Sequence, residues 1–450
     1  MQYRIDQEVS NLVKGKLPPV VIVGGDDGCL SIARSLGVAG VQVYAINHPQ
    51  AAVRYSRFCK WINLPNGNAA GAEGWTTYLL GDESNHLKGA VLLGASDEAL
   101  ELIATHRELL SDKFILDLSN PAAQLCMLNK LSTYHAAEAA GVPTPKFWVA
   151  DTRDQIVKLK RELVFPLIVK PILGHKFSRK FTGYYTVVYN LSDLLSAFDT
   201  VCCAGIQTFL VEMIPGPDDR LCSYYTYLDE NGKNLIDFTK RVIRRYPMNM
   251  GGATYHITDY VPDIQELSLA LFRQVGLRGV ANAEFKMDER DGKLKLIECN
   301  ARFTAADCLL VASGLNLSLF VYNRLTRRTY LAPSNYRMGM RLWKPVGDYA
   351  AYRQLNKMGL LTFRAWIRSI MHRRMFPLFR WNDPLPAIVG NVRLIRHASS
   401  RLWRSIPTKK DGVASANPSR MTQSPTKLST TIAMSDIPAQ IQPISELPPK

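Results

Sequence analysis

Residues 280–302 read VANAEFKMDERDGKLKLIECNAR and decide how the centre of the chain folds. Two alternating apolar runs flank the turn sequence DERDG, which is typical of two antiparallel strands joined by a hairpin. Pairing of these strands sets Glu284 opposite Glu298, and the two-residue repeat of a strand adds Asn300 to the face of Glu298. The segment therefore predicts that two carboxylates and one amide oxygen converge on one face of a sheet.

This set of oxygens suits a divalent cation. Carboxylate and amide oxygens are ligands that Mg²⁺ accepts, usually together with water and substrate phosphates. Glu298 ends an apolar strand, where an unpaired carboxylate would be costly, so a bound cation is a physical solution. The alternative is a solvated hairpin whose acids pair with Lys286 and Lys295, and the segment alone leaves both interpretations open.

Candidate contacts for a phosphate-bearing ligand lie upstream of this hairpin. Lys170 ends a buried-type strand, and Lys130 lies within a helix predicted over residues 122–140, although either could also be a solvent-exposed lysine. Between these lysines and the acids, residues 209–219 read FLVEMIPGPDD. An apolar strand that ends in Glu212 before a Pro-Gly turn could hold an adenine by main-chain groups, with an acid nearby for ribose hydroxyls.

The first part of the chain, about residues 18–118, has a different pattern. Short apolar strands alternate with helical stretches, which favours a doubly wound parallel sheet. The glycine sequence GGDDG (24–28) lacks GxGxxG spacing, and Asn47 stands where a dinucleotide-binding fold would need an acid for the ribose. We therefore interpret these glycines as a turn that lets a strand meet a helix.

In this order and spacing, the segments resemble the ATP-grasp superfamily, most closely carboxylate–amine ligases of the D-aspartate ligase and carbamoyl-phosphate-synthase-like kind. The likeness runs from about Pro18 to about Leu325, and AAVRYSRFC (51–59) looks like the family's Ser-Arg-tyrosine-or-phenylalanine stretch. The implied fold class is α/β plus α+β. The implied domains are a pre-ATP-grasp domain with a doubly wound parallel sheet (1–120) and an ATP-grasp domain (121–330) with two lobes (121–206 and 207–330).

The resemblance also implies roles for individual residues. The implied set is Lys130 and Lys170 for the nucleotide phosphates, Glu212, Met213 and Ile214 for the adenine, Asp219 for the ribose, Glu284, Glu298 and Asn300 for Mg²⁺ or Mn²⁺, Arg302 for the charged substrate or acyl-phosphate, and Lys240 and Arg241 for phosphate or carboxylate contacts. In the implied reaction, ATP phosphorylates a carboxylate, and an amine such as that of an amino acid then attacks the acyl-phosphate. An ATP-grasp kinase, a carboxylase and a nucleotide-binding scaffold are the alternatives.

One segment departs from the family pattern. The loop after Lys170, PILGHKFSRKFTG (171–183), has two glycines where many relatives have a glycine-rich lid over the phosphates. Its basic side chains Lys176, Arg179 and Lys180 are predicted to contact phosphate directly.

The chain carries a net charge of +16, and this charge is concentrated late in the sequence. Residues 320–410 contain nineteen basic residues and only two acids, Asp348 and Asp383. We expect a basic, mostly helical extension (331–404), followed by a disordered tail (405–450) rich in Ser, Thr and Pro.

Within this extension, apolar residues from 360 to 375 recur with a helical period, between basic residues. The pattern predicts a helix on an anionic membrane surface, or a helix that packs its apolar face on the catalytic core. Nucleic acid is a third, less favoured partner because no recognised binding motif accompanies the charge.

Other features favour a cytoplasmic enzyme, with peripheral contact at the inner face of the membrane if the helix binds lipid. No apolar run is long enough to span a bilayer, and the first residues do not resemble a signal peptide. The eight cysteines show no metal-binding spacing, so we expect reduced thiols. The sequence leaves homo-oligomerisation open.

Overall fold

The computed structural model describes residues 17–64, 71–181, 183–328 and 335–390, which belong to one compact unit. Three sheets organise this part of the chain. They follow one another along the sequence, and the predicted site residues come from the second and the third.

The first sheet is parallel, with the strand order β3-β2-β1-β4. Its elements are β1 (Val20–Val23), α1 (Asp27–Val38), β2 (Val43–Ile46), β3 (Lys60–Trp61), α2 (Ala72–Leu80), β4 (Val91–Gly94), α3 (Asp97–Thr105) and α4 (Arg107–Ser111). All four residues of β1 are buried, as expected for a parallel sheet with both faces covered by helices. Beyond these elements, Ile115 forms an isolated parallel bridge with Val91.

The second sheet is antiparallel, with the order β5-β8-β6-β7. Its elements are α5 (Pro121–Leu128), α6 (Lys130–Ala139), β5 (Phe147–Trp148), α7 (Arg153–Leu159), β6 (Leu167–Pro171), α8 (Gly174–Ser178), β7 (Thr186–Val188), α9 (Leu191–Cys203) and β8 (Thr208–Glu212). Thr152 begins α7 with a capping box to Gln155.

The single helix predicted over 122–140 is wrong, because the structure has two helices separated at Asn129. The backbone of Asn129 is extended, and its side chain accepts a hydrogen bond from the Ser132 N–H, which caps α6. A capping side chain offsets the unsatisfied N–H groups of a new helix start, so the break costs little. Lys130 therefore occupies the first position of α6 rather than the middle of a helix.

The third sheet has seven strands in the order β13-β12-β9-β10-β11-β14-β15. Its elements are β9 (Leu221–Leu228), β10 (Asn234–Tyr246), β11 (Gly252–Thr258), α10 (Asp263–Val275), β12 (Gly279–Met287), β13 (Leu294–Asn300), α11 (Asp307–Ser313), α12 (Leu317–Leu325), β14 (Arg341–Trp343), α13 (Pro345–Lys357), α14 (Phe363–Ile370) and β15 (Arg374–Met375). The predicted hairpin joins β12 to β13, and a second hairpin joins β9 to β10.

Helices α11 and α12 tie the first sheet's helix α1 to the third sheet. Buried Asp307 accepts hydrogen bonds from Ser31 of α1 (2.7 Å) and Ser318 of α12 (3.0 Å). In the described ranges no helix is by itself long and apolar enough for a membrane span, and α11 with α12 meets that criterion only as a pair bent by 95°. Both helices contribute residues to the largest buried apolar cluster.

The described part of the basic extension, residues 335–390, packs on the rest of the protein. Its strands β14 and β15 continue the third sheet beyond β11. The predicted helical period over 360–375 is realised in α14 only from 363 to 370, and Met375 lies in β15. Trp366 and Ile370 of α14 are buried against Tyr255 and Tyr352, so this helix turns apolar residues toward the core. The predicted tail and residues 391–404 lie outside the described residues.

Both acids of this extension are buried in ion pairs with arginines of the preceding domains. Asp348 accepts two hydrogen bonds of 2.8 Å from Arg244 of β10, and also bonds from the indoles of Trp343 and Trp366. The side chains of Arg244 and Asp348 are 6% and 0% exposed, so the pair is removed from water. Removal of one member would leave the other charge buried and unpaired, which is costly.

The second pair fixes the extension to the first sheet. Asp383 accepts hydrogen bonds from Arg34 of α1 (2.8 Å), from the Ser56 hydroxyl (2.7 Å) and from the Arg57 N–H (3.0 Å). Arg34 also donates to the carbonyls of Pro377 and Leu378. The Ser-Arg stretch of residues 51–59 thus holds the extension in place.

We expect Asp348→Ala to lower the free energy of unfolding by about 3–5 kcal/mol, because Arg244 would stay buried without its partner. Asp259→Ala is the matched control, since Asp259 forms an exposed ion pair of similar length with Arg241 (2.8 Å). That control should lose about 0–1 kcal/mol. Denaturant unfolding of both variants gives the comparison, and equal losses would show that the buried pair does not anchor the extension.

Candidate functional site

A polar row crosses the third sheet at right angles to its strands. The strand register pairs Glu298 of β13 with Glu284 of β12, Glu284 with Ser223 of β9, and Ser223 with Lys240 of β10. Residues paired across neighbouring strands share one face of a sheet. Two acids and a lysine predicted from separate segments therefore lie side by side on one face.

The second sheet brings two lysines to Glu298. Lys130, at the start of α6, forms an ion pair with the Glu298 carboxylate. Lys170, in β6, donates to the Ile297 carbonyl (2.7 Å) and to the Tyr134 hydroxyl (3.0 Å). Burial alone would raise the pKa of the Glu298 carboxyl, but the charges of Lys130 and Lys170 outweigh it and lower that pKa.

Lys170 is nearly enclosed, and this changes its protonation. Burial, followed by the charge of Lys130, lowers the pKa of the Lys170 ammonium to about 7. In the absence of a ligand, this lysine is therefore close to half-protonated at neutral pH. A polyanion bound beside it would favour the charged form.

The predicted metal ligands are arranged to receive a hard cation. The Asn300 amide nitrogen donates to the Asn282 side-chain oxygen (3.0 Å), and Asn282 donates to the Tyr224 carbonyl (3.0 Å). These bonds leave the Asn300 oxygen free to face the acids. Burial, together with the nearby Glu298 charge, raises the pKa of Glu284, so a cation between the two carboxylates would relieve their repulsion.

This donor set fits Mg²⁺ rather than a metal held by protein alone. No cluster of three or more His, Cys, Asp or Glu ligands occurs among the described residues. Two carboxylates and an amide leave coordination positions for water and phosphate, which is how Mg²⁺ usually binds. The residues present therefore suit a cation that arrives with a nucleotide.

The alternative of a solvated hairpin requires different contacts from those in the structure. Lys286 donates to the carbonyls of Ile214 (3.0 Å) and Gly216 (2.7 Å), and Lys295 pairs with Asp288 (2.6 Å). Neither lysine neutralises Glu284 or Glu298. The two acids depend instead on lysines from other elements.

The predicted adenine segment follows β8 and is braced by the β12–β13 hairpin. Arg290, in the turn, pairs with both Glu212 and buried Asp288. The Met213 N–H donates to the Pro166 carbonyl (3.2 Å). The Lys286 bonds to the carbonyls of Ile214 and Gly216 hold the other end of the segment. The sequence DERDG predicts only a turn, and Arg290 was not predicted as a partner of Glu212; the one basic residue among three acids was the available signal.

The predicted ribose ligand lies in a short turn after this segment. Asp219 is exposed in a 3₁₀ turn, Asp218–Arg220, whereas the preceding Asp218 is buried. Asp218 accepts hydrogen bonds from Arg245 (2.6 Å) and from the Asn249 N–H (3.1 Å). Asp219 is thus the acid of the turn that faces solvent, and Asp218 holds the turn in place.

Arg302 lies where the third sheet meets the first. Its guanidinium donates to Asp97 at the start of α3 (2.5 Å). Burial would raise the pKa of Asp97. The charge and hydrogen bond of Arg302 outweigh this effect and lower that pKa to about 2. Asp97 was not predicted, because its partner is 205 residues away in the sequence.

The structure separates Lys240 from Arg241. Lys240 is buried, donates to Ser223 (3.0 Å) and belongs to the polar row. Arg241 points to the opposite face of β10, as alternation along a strand requires, and pairs with Asp259. Only Lys240 of this predicted pair lies beside the acids.

The loop predicted to cover phosphates is tied to helix α3. Lys176 forms an ion pair of 3.3 Å with Glu101, and Arg179 pairs with Glu98. Lys180 donates to the Ala204 carbonyl. In this structure two of the loop's cations are therefore neutralised by carboxylates of the first domain rather than directed at the acids.

Comparison with known proteins adds to this geometry. No family model matches the chain. A D-aspartate ligase from Enterococcus faecium is 26% identical over 326 residues, which cover 67% of this chain and 75% of the relative. The solved N5-carboxyaminoimidazole synthetase from Staphylococcus aureus superposes with a TM-score of 0.55 at 14% identity, over 73% of this chain and 82% of that one.

A second solved structure, the L-amino acid ligase from Bacillus licheniformis, has a TM-score of 0.52 at 18% identity and covers 69% of this chain and 75% of its own. These similarities indicate an ATP-grasp protein of the carboxylate–amine ligase-like kind. The resemblance predicted from the sequence is thereby confirmed.

Binding of ATP beside Lys170 should take up a proton. The phosphates would raise the pKa of this lysine from about 7, so affinity should fall as pH rises above 7. At pH 8, calorimetric titration in two buffers of different ionisation enthalpy should show an uptake approaching one proton. Lys170→Arg, which stays charged, should bind ATP without that uptake. An uptake that is unchanged in Lys170→Arg would assign the proton to another group.

Proposed function

We propose that this protein is an ATP- and Mg²⁺-dependent ligase that joins a carboxylate to an amine through an acyl-phosphate. The observation that carries the proposal is the polar row, in which Glu284, Glu298 and Lys240 face Lys130 and Lys170 of the neighbouring sheet. The triphosphate of a nucleotide carries several negative charges that nearby cations must offset. The lysines of this arrangement supply such cations. The similarity to a D-aspartate ligase and an L-amino acid ligase supports an amino acid as one substrate.

In the first step, a carboxylate oxygen attacks the γ-phosphorus of ATP, and ADP leaves with the electrons of the broken P–O bond. Lys130 and Lys170 would contact the phosphates. The segment from Glu212 to Ile214 would hold the adenine, and Asp219 would bind the ribose. Mg²⁺, held by Glu284, Glu298 and Asn300, would offset the charge that builds on the transferred group.

In the second step, the amine nitrogen attacks the acyl carbon, inorganic phosphate leaves, and the nitrogen loses a proton. Arg302 would hold the acyl-phosphate, and its bond to Asp97 restricts the guanidinium to one orientation. A fixed donor stabilises developing charge more effectively than a mobile one, because no reorganisation is needed. Lys240 would contact the activated carboxylate or the leaving phosphate.

Glu298→Gln should lower the rate of ADP formation by at least about 100-fold while the protein stays folded, because a charged ligand of the phosphate-bound cation is lost. Glu289→Gln is the matched control, since Glu289 lies on the exposed turn of the same hairpin and pairs only with Arg220. A coupled assay of ADP release, with thermal unfolding of each variant, measures both properties. Full activity of Glu298→Gln would overturn the proposed function.

Hydroxylamine separates a ligase from the kinase and carboxylase alternatives. A ligase should convert hydroxylamine and its carboxylate substrate into a hydroxamate during ATP turnover. Bicarbonate-dependent ADP release without hydroxamate would instead favour a carboxylase.

We also propose that the protein acts in the cytoplasm and that its extension contacts anionic membrane. The two acids of residues 335–390 are buried, so every ionised side chain exposed there is basic. Arg364, Arg368 and Arg373 are exposed near Phe363 and Met371, two exposed apolar residues. Basic and apolar side chains together fit an anionic lipid surface.

Replacement of Arg364, Arg368 and Arg373 by Ala should weaken sedimentation with phosphatidylserine vesicles by about 100-fold, at about 1 kcal/mol for each charge. Replacement of exposed Lys158, Lys160 and Arg161 removes the same charge from the ATP-grasp domain and should have little effect. Equal binding of all three proteins would show that the extension does not face the membrane.

A further inference from the structure

The polar face of the third sheet continues beyond Lys240 into the extension. Val242 of β10 pairs with His256 of β11, and His256 pairs with Leu342 of β14. Lys240 lies two residues before Val242, and Lys344 lies two residues after Leu342. Because side chains alternate along strands, Lys240, His256 and Lys344 share one face. The Lys344 N–H donates to the Thr254 carbonyl (2.8 Å), which continues the pairing of β14 with β11.

Lys344 reaches the glycine turn of the first domain. Its ammonium forms an ion pair of 2.7 Å with Asp27, the first residue of α1, and both side chains remain partly exposed. The next residue, Gly28, packs so closely that an added Cβ would lie 2.8 Å from the Thr304 carbonyl, just after Arg302. The first domain, the ATP-grasp domain and the extension therefore meet beside the candidate phosphate-transfer site.

His256, at this meeting point, has one ring nitrogen without a partner among the described residues. That nitrogen is Nδ1, and the residue is only 7% exposed. Burial first, and then the charges of Lys240 and Lys344, lower its pKa well below the usual value, so the ring is neutral. Buried polar atoms are almost always paired, so an unpaired one beside an ion pair points to a missing ligand.

We propose that Asp27, Lys344 and His256 recognise the amino-acid substrate, with Asp27 binding its ammonium group and Lys344 binding a carboxylate that is not activated. This inference rests on the proposed ligase function. An amino-acid zwitterion carries the charges complementary to a Lys–Asp pair, so it can insert between the two side chains and give each a new partner. A purely anionic ligand would leave Asp27 without its cation.

The arrangement also gives a reason for the position of the extension. Lys344 follows β14, which pairs with β11 and so places the lysine on the same face as Lys240, with His256 between the two. The extension thus supplies a residue that determines specificity for one substrate, in addition to packing on the core. An amino acid held at this site would have its second carboxylate directed toward Arg302, Lys240 and the nucleotide.

The test measures ADP release by the full chain with hydroxylamine as the amine and a panel of D- and L-amino acids as the carboxylate substrate, and then with analogues of the best one. For D-aspartate these are β-alanine, which lacks the α-carboxylate, and succinate, which lacks the ammonium. Lys344→Gln should raise KM for D-aspartate by about 10- to 100-fold, the range of one charge-assisted hydrogen bond, and leave the response to β-alanine unchanged. Asp27→Asn should likewise raise KM for D-aspartate but leave KM for succinate unchanged.

Three controls make the result specific. Lys357→Gln removes an exposed lysine of the same extension and should leave KM for the amino acid unchanged. KM for ATP should stay constant in all variants, and Lys344→Arg should restore much of the affinity. If Lys344→Gln and Asp27→Asn retain the wild-type KM, the inference is wrong while the ligase function stands. If the wild-type protein releases ADP with other carboxylates but with no amino acid, the inference is wrong while the ligase function stands. If no carboxylate supports ADP release, the proposed function itself fails.

Discussion

Two carboxylates placed directly opposite each other in one hairpin impose the main electrostatic constraint on this protein. Glu284 and Glu298 are register partners, and like charges in that position repel. The surrounding structure supplies positive charge from three directions: Lys130 from a helix start, Lys170 from the second sheet and Lys240 from the third. A nucleotide-bound cation would complete the compensation. Glu284 and Glu298 are thus compensated by the same lysines that a triphosphate would engage.

A second constraint acts between domains. Arg302 is held by Asp97 and the loop cations Lys176 and Arg179 are held by acids of the same helix, α3. The first domain therefore presents carboxylates to groups that, in the proposed reaction, face phosphate. The same cations take part in ligand binding and in contacts with α3. A change in ligand binding therefore alters these contacts, and a change in the contacts alters ligand binding.

The parts of the site that follow from local rules could be predicted from the sequence. Hairpin chemistry and strand alternation place Glu284, Glu298 and Asn300 on one face, and the structure has that arrangement. The break at Asn129 could not be predicted, because a helix through an asparagine and a capped restart differ little in energy. The contacts of Asp97 with Arg302 and of Asp27 with Lys344 join residues that are more than 200 positions apart. The sequence around a charged residue does not indicate which distant residue that side chain will contact.

The packing of the basic extension also could not be predicted from the sequence. Its excess charge suggested a separate attachment, whereas the structure uses its two acids as anchors in the interior. A chain shortened before residue 335 would lose both counter-ions and leave Arg34 and Arg244 as isolated charges beneath an uncovered apolar surface. Experiments that remove this segment would therefore measure unfolding together with any loss of location. A truncation that keeps Asp348 and Asp383 leaves both arginines with their counter-ions.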